Sequence, residues 1–554
     1  MFKKPQSALD HYKIKRGVTL ELEPTWWEKL RGFQHWRWVR LTSLAAGLAV
    51  CYVLMQPAPP APVNLTYEID LTDAATGQLT ITLIAEGDLP EFVDLELPSG
   101  TIGDDGEGVH AFDPTAHVLA ADGEMGLPLA VQDVANGWRL ATGRAARVGF
   151  IYHVALNRVQ TSDEDVRRHI STPVSGGLRA AGFEIFLEPV GLQAQEITVL
   201  MHNPARMPVL VPWPALVKGR DQVAERRRHQ PQTADEASLG LGLGYQPAAG
   251  LEPAVQTADT ADQAASVPSN LLYHPRDMAD LNNSLIVCGN IRTLEAPARD
   301  TVIQFATDRD WLFADSAAMD LIRRIARTEM GFFGSAPSDQ ITVLLSANEI
   351  TAASGFDVYG VHTGSSVLVL LDPQTTWGMV EEQAASVIAH EMFHGWLGEA
   401  IPQTDPQMLW FTEGATTWYA ARMLVSAGIW SPEHARGVLG ARIDRDYVRN
   451  PLLGRISVAG AAAEVMADAD QVRFGYAAGI NACQALDEML AKATGLQRPL
   501  DEVLRTLYVN RGKGGLTRAL LTETILAVTG VDCTAWLETH VYGKTSLPPS
   551  AQLI

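Results

Sequence analysis

Cysteine is nearly missing from this chain: four residues in 554, at positions 51, 288, 483 and 533. Scattered this widely and without a C-x-x-C pair, they exclude a disulfide-stapled scaffold and a cysteine-built metal site. They read as small buried hydrophobes, with one pairing among Cys288, Cys483 and Cys533 left open should the compartment be oxidising. No internal repeat is present, which removes solenoids and propellers. Positive charge is scarce as well, with 43 Lys and Arg against 64 Asp and Glu. Nine of those bases fall in the first forty residues beside only four acids, so the rest of the chain is strongly acidic. An acidic body repels phosphate backbones, and no nucleic-acid role is expected.

The basic head precedes an apolar run, "LTSLAAGLAVCYVLM" from Leu41 to Met55, that ends at "QPAPPAP". Fifteen helical residues reach about 22 Å, short of the ~30 Å hydrocarbon core. Val39 and Gln56 lengthen the run, while Trp36 and Trp38 can sit at the interface and Arg37 and Arg40 can snorkel. The reading is an uncleaved membrane helix over 41–57 after a basic cytoplasmic tail over 1–40. The remainder of the chain is then periplasmic or extracellular, on the outer side of the cytoplasmic membrane. A cleaved leader and a buried soluble helix are the rival readings.

Residues 58–215 carry alternating branched and polar segments such as "LTYEIDL", "GQLTITLIAEG" and "QEITVLMHN", the pattern of an antiparallel, sandwich-like β domain. Residues 216–270 lose periodicity and read as a linker or long loop; the Arg226–Arg228 triplet within them reads as a solvated face. From 271 to 420 strands and helices alternate. The strands are "DTVIQFATD", "QITVLLSA" and the near-continuous apolar "SSVLVLLD", and "SAAMDLIRRIARTEMGFFG" is a helix ended by Gly334. Residues 421–554 are mostly helical, and the helices of this half end in glycine at 428, 495, 512 and 530. The chain is therefore α+β and multidomain.

The chemistry concentrates in "SVIAHEMFHGWLGEA". His390 and His394 are four apart on a predicted helix, so both imidazoles leave one face and can share a cation, with Glu391 about 100° round. A catalytic metal site needs a third protein ligand and one open position. In "LWFTEGATTWYAAR", Glu413 follows His394 after eighteen intervening residues. Buried behind "LWFT", its carboxylate would be costly without a cation. Two packed histidines on an apolar helix are the bland alternative, and Glu413 is what argues against it.

These residues resemble the gluzincin metallopeptidases, specifically the membrane alanyl and glycyl aminopeptidase families. The spacing and "W-x-x-E-G" are similar to the alanyl pattern; "HEMFHGW" and "LDEMLAKATGLQRPLDEVLRTLY" are similar to the glycyl one. The resemblance implies a thermolysin-like catalytic domain, one zinc per chain on His390, His394 and Glu413, and Glu391 as general base. It also implies a catalytic tyrosine in Y-x-x-G, matched here by Tyr476 and Gly479. In these families a glutamate in a loop before a strand grips the substrate amine. Aligning His362 with the family histidine puts Val361 at that glutamate's place, with Glu349 and Asp357 nearby as substitutes, and the substrate is expected along Ser365–Leu371 as an edge strand. Thr417 stands where related sites can carry an acid that orients a histidine. The expected function is a membrane-anchored zinc aminopeptidase acting on peptide or protein substrates. A zinc endopeptidase on the same scaffold is the alternative, and a degenerate binding protein the reading from another class.

Overall fold

The computed structural model describes residues 62–98, 101–102, 108–157, 170–213, 256–257, 267–348, 358–463, 469–512 and 514–550. The Leu41–Met55 run, Cys51, Glu349, Asp357 and most of the 216–270 segment lie outside that set. No helix among the described residues is long and apolar enough to cross a membrane.

Alternation of buried and exposed side chains along Pro62–Asp70 makes it a half-buried strand. It lies centrally in an eight-stranded sheet, antiparallel to Gln78–Gly87 on one side and parallel to Gln193–His202 on the other. The antiparallel expectation is thus corrected to a mixed sheet. Alternation reports which face is buried but carries nothing about the direction of a partner far away in the chain. A four-stranded sheet that includes Phe92–Glu96 and Gly137–Ala141 contributes to the same apolar core. In that core Trp138 lies 5.7 Å from Phe150 and 6.3 Å from Tyr152, ring to ring.

A polar tether joins this part to the catalytic sheet. Buried Arg179 donates to Ser346 Oγ at 2.6 Å and to the Ile170 carbonyl at 2.9 Å. Ser346 in turn donates to the buried Asp308 carboxylate. Each group satisfies the next, which buried polar groups require.

The catalytic sheet comprises β1 (Arg292–Ala298), β2 (Thr301–Thr307), β3 (Gln340–Ala347), β4 (Val358–Thr363) and β5 (Ser366–Leu371), with the short Gln256–Thr257 beyond β1. Its order is β1-β2-β3-β5-β4, with β2, β3 and β5 parallel and β4 antiparallel on the rim. The expected edge strand is therefore interior, and Val358–Thr363 is the edge. All six residues of β5 are buried. That continuous apolar run is the mark of a strand covered on both faces by a parallel arrangement, and the rim falls to the more mixed "VYGVHT".

Helix α1 (Asp315–Phe333) packs behind the sheet and stops at Gly334, whose φ of 95° lets its N–H cap the Met330 carbonyl. The other expected stops, Gly428, Gly495, Gly512 and Gly530, also have positive φ, from 66° to 91°. Helix α2 (Ala385–Phe393) carries the histidine motif and is entered through a π-helical turn at Val380–Ala384. Its exit is pinned by aromatics. Phe333 stacks on Trp396 at 5.2 Å and meets Phe393 at 5.1 Å, while Trp396 Nε1 donates to the Ser335 carbonyl at 3.0 Å. Losing one such buried ring costs about 3–5 kcal/mol, so α2 is held firmly against α1.

The helices that follow are α3 (Leu409–Ser426), α4 (Pro432–Ile443), α5 (Ala469–Thr494), α6 (Pro499–Val509), α7 (Arg518–Thr529) and α8 (Thr534–His540). One buried apolar cluster runs from Leu294 to Leu547 through sheet and helices alike. Asp501 on α6 ties into α3, accepting from Tyr419 at 2.7 Å and from Arg422 at 2.7 and 3.0 Å. Cys288, Cys483 and Cys533 are all free and buried, as small hydrophobes.

Candidate active site

Helical spacing places His390 and His394 on one face of α2, and the apolar residues Ile388, Ala389, Met392 and Phe393 fix that face by burying the other. Helix α3 brings Glu413 opposite. His390 Nε2 and His394 Nε2 lie 3.1 Å apart, and Glu413 Oε2 is 3.2 Å from the first and 3.5 Å from the second. Among the described residues this is the one trio of potential ligand atoms gathered within 4.8 Å.

The outer ring nitrogens decide what the inner ones offer. His394 Nδ1 is 3.0 Å from the Leu397 carbonyl, which can only accept, so that nitrogen carries the proton. His390 Nδ1 is 3.2 Å from Thr417 Oγ1, a hydroxyl that can accept in the same arrangement. Both Nε2 atoms then face inward toward Glu413 Oε2, a buried oxygen with no other hydrogen-bond partner. Three lone pairs pointed at one another repel unless a cation lies between them. Two nitrogens and one oxygen, with an open fourth position, are the donor set of a catalytic zinc. The three side chains keep 12–15 % exposure, so the cluster is open to a ligand rather than sealed as a structural site would be.

Burial alone would raise the Glu413 carboxyl, but His394 and His390 outweigh it and hold the group well below the usual carboxylate range. Burial likewise works against a charged His394, yet Glu413 reverses the outcome and lifts that imidazole to about 9. In the metal-free protein a proton thus takes up part of the cation's role.

Glu391 points at the rim of the sheet. Burial raises its carboxyl, the two histidines oppose that, and Glu413 adds to it. A Cβ on Gly360 in β4 would lie 2.6 Å from Glu391 Cγ and 2.8 Å from its Oε1. Only a residue without a side chain leaves room for Glu391 against the edge strand. The ring of Tyr476, on α5, sits 6.5 Å from that of His390. Burial, then the Glu413 and Glu391 carboxylates, push its phenol well above the ordinary value, so it stays protonated and acts as a donor. Its reach toward Glu413 is set by a helix crossing. A Cβ on Gly414 would meet the Gly479 backbone at 2.3 Å, and one on Gly479 would meet the Trp410 carbonyl at 2.4 Å.

Val361 and His362 both lie on β4. No acid stands at Val361, where an amine grip is expected. The His362 ring is 6.4 Å from that of His394, has no hydrogen-bond partner on either nitrogen, and is pulled down to about 3, first by burial and then by His394. Glu349 and Asp357 fall outside the described residues. The groups that sequence reading missed are the Leu397 carbonyl, Gly360 and Arg442, whose Cζ lies 5.6 Å from the Tyr476 ring centroid. Thr417 was visible one turn after Glu413, but its partner was not.

Residues 325–506 match the family model described as "Peptidase family M1 domain". Over this third of the chain the sequence is similar to M1 peptidase domains. The resemblance to the gluzincin aminopeptidases is borne out by that match. The chain is 25 % identical to Aminopeptidase N of Caulobacter vibrioides over 120 residues, covering 22 % of this chain and 14 % of that protein. It is 33 % identical over 67 residues to Aminopeptidase M1-C of Oryza sativa subsp. japonica, covering 12 % and 8 %. The aligned stretches thus span only a small part of these curated relatives. Among solved structures, an aminopeptidase N family protein from Idiomarina loihiensis is similar at a TM-score of 0.63 and 17 % identity, covering 87 % of this chain and 77 % of that one. An M1 zinc metallopeptidase from Deinococcus radiodurans is similar at a TM-score of 0.50 and 14 % identity, covering 88 % and 95 %. At these identities the structural likeness shows the fold, which extends from the M1 domain over the β-sheet domain before it.

Two outcomes follow for the M1 domain. Thr417→Val removes the acceptor at His390 Nδ1 and should weaken zinc binding about 10–100-fold, read by chelator competition; unchanged affinity would remove Thr417 from the site. With His394 at about 9 in the metal-free protein, zinc must displace a proton at neutral pH. Apparent affinity should therefore rise on the order of tenfold per pH unit from 6 to 8 and level off above about 9. A flat profile over pH 6–8 would contradict the assigned coupling of His394 to Glu413.

Proposed function

We propose that this protein is a zinc-dependent metallopeptidase of the aminopeptidase type, carrying one zinc per chain on His390, His394 and Glu413. The observation that carries the reading is the convergence of their three ligand atoms, with Glu391 on one side and the Tyr476 phenol near. When bound, zinc supplies Lewis-acid activation of water and of the scissile carbonyl. Glu391, confined against Gly360, takes the proton of the attacking water and returns it to the leaving amine. Tyr476, kept protonated, donates a hydrogen bond to the oxygen on which negative charge develops. The open side of β4 offers main-chain groups to an extended peptide, which adds as a further strand on that rim. A variant of the Deinococcus radiodurans enzyme was solved with a Tyr-Ser-Ala substrate, and a short peptide fits the present reading.

The Leu41–Met55 run and the bases before it support attachment to the cytoplasmic membrane, with the N-terminus inside and the peptidase on the periplasmic or outer face. An endopeptidase on this scaffold is the second reading, and Val361 on the edge strand favours it.

Glu391→Gln should retain zinc and fold while losing about a hundredfold or more in kcat, the range for removal of a general base; near-normal turnover would refute the mechanism. Exo- and endopeptidase separate on blocked substrates. An aminopeptidase stops at an N-acetylated peptide, so profiling a free and an acetylated library by mass spectrometry should show cleavage of the free set alone. Internal cleavage of the acetylated set at comparable rates would establish the second reading.

A further inference from the structure

Helix α4 begins at Pro432, with Ser431 capping it by accepting from the His434 N–H at 3.1 Å. Its last turn delivers Arg442 to the ring of Tyr476, 5.6 Å from guanidinium carbon to ring centroid. A cation over a phenol face is favourable. It leaves five N–H donors to be satisfied in the ring plane of the guanidinium, however, and a π-face satisfies none of them. Among the described residues Arg442 makes no hydrogen bond and no ion pair. The acid one turn further on, Asp446, is already engaged by Arg445 through two bonds of 2.8 and 2.7 Å. By contrast, the part-buried Arg422 and Arg292 each hold a carboxylate through two bonds. Arg442 is itself only partly exposed, and burial weighs against its charge. Glu413, the acid across the phenol, is committed to the two histidines.

Arg442 is therefore a free cationic fork beside the Tyr476 phenol, and Val361 on the rim strand is an apolar side chain where an amine-gripping acid was expected. From this we infer that Arg442 is a carboxylate-binding residue of the cleft, which selects peptides that bring a carboxylate close to Tyr476. That carboxylate is either the terminal group of a short peptide or an acidic side chain near the scissile bond. The inference rests on the metallopeptidase reading and names its substrate class. A planar guanidinium pairs with a carboxylate through two parallel bonds, and this geometry discriminates against the amide isostere.

The test measures binding rather than turnover. Full-length, zinc-loaded Glu391→Gln protein is titrated calorimetrically with a tripeptide, its C-terminal amide, and a pair differing only as Glu against Gln. At least one acid should bind about tenfold more tightly than its amide, since one such charge-assisted contact is worth about 1.4 kcal/mol or more. Whichever pair shows the difference identifies the source of the carboxylate. Adding Arg442→Gln should bring the ratio to near one, with zinc content reporting an intact site, and Arg442→Lys should restore part of it. Equal binding of acid and amide by the Glu391→Gln protein would overturn the inference, as would no binding of either. A ratio that survives Arg442→Gln, or an equal loss for acid and amide, would do the same; the latter would make Arg442 a support for Tyr476 only. Because no turnover is needed, absence of hydrolysis in the unmodified protein would refute the peptidase reading separately and leave this ratio measurable.

Discussion

Everything at the centre of this protein depends on two imidazole nitrogens and one carboxylate oxygen drawn within 3.5 Å of one another. The Leu397 carbonyl fixes the Nδ1 proton of His394 and Thr417 holds Nδ1 of His390, so both rings send Nε2 inward. Glu413, held on a separate helix, sends an oxygen to meet them. The fold bears the electrostatic cost of that convergence and a bound cation removes it, so metal loading and the ordering of the site are one event. The π-helical turn ahead of α2 and the Phe333–Trp396–Phe393 cluster behind it hold the histidines in place.

The electrostatics of the surrounding groups follow from the same arrangement. Burial pushes the acids Glu391 and Tyr476 toward their protonated forms and His362 toward its neutral one. Glu413 is the exception because two histidines face it, and it stays ionised where an isolated buried carboxyl would not. One ionised ligand, one base with a raised affinity for protons and one permanent donor are thus separated by position alone.

The parts of this site that could be read in the sequence are those fixed by local geometry. A spacing of four on a helix dictates a shared face, and a carboxylate in an apolar helix asks for a cation, so His390, His394 and Glu413 were open to direct argument. Tyr476 was not; a tyrosine in a helical segment is ordinarily core, and it was reached through family resemblance. Gly360 and the Leu397 carbonyl matter only because a strand and a helix end pass each other in space, and no local pattern announces that. The rim strand was misread for a related reason. Ser366–Leu371 had the stronger strand pattern, but uninterrupted apolarity marks a strand with neighbours on both sides. The parallel seam between Pro62–Asp70 and Gln193–His202 is likewise a long-range pairing that alternation does not encode.

The backbone contact between Gly414 and Gly479 divides the cleft into two walls of different character. On one wall, the residue after the acid ligand and the third residue after the phenol meet with no side chain between them. Any side chain at the crossing would force the two helices apart, so the separation of Glu413 and Tyr476 depends on both residues being glycine. The opposite wall, formed by β4 on the rim of the sheet, has no such lock. Val361 and His362 belong to that rim, whereas Arg442 lies against the Tyr476 ring on the locked side. This division lets a site of this build vary at its rim while the Glu413–Tyr476 pair stands still.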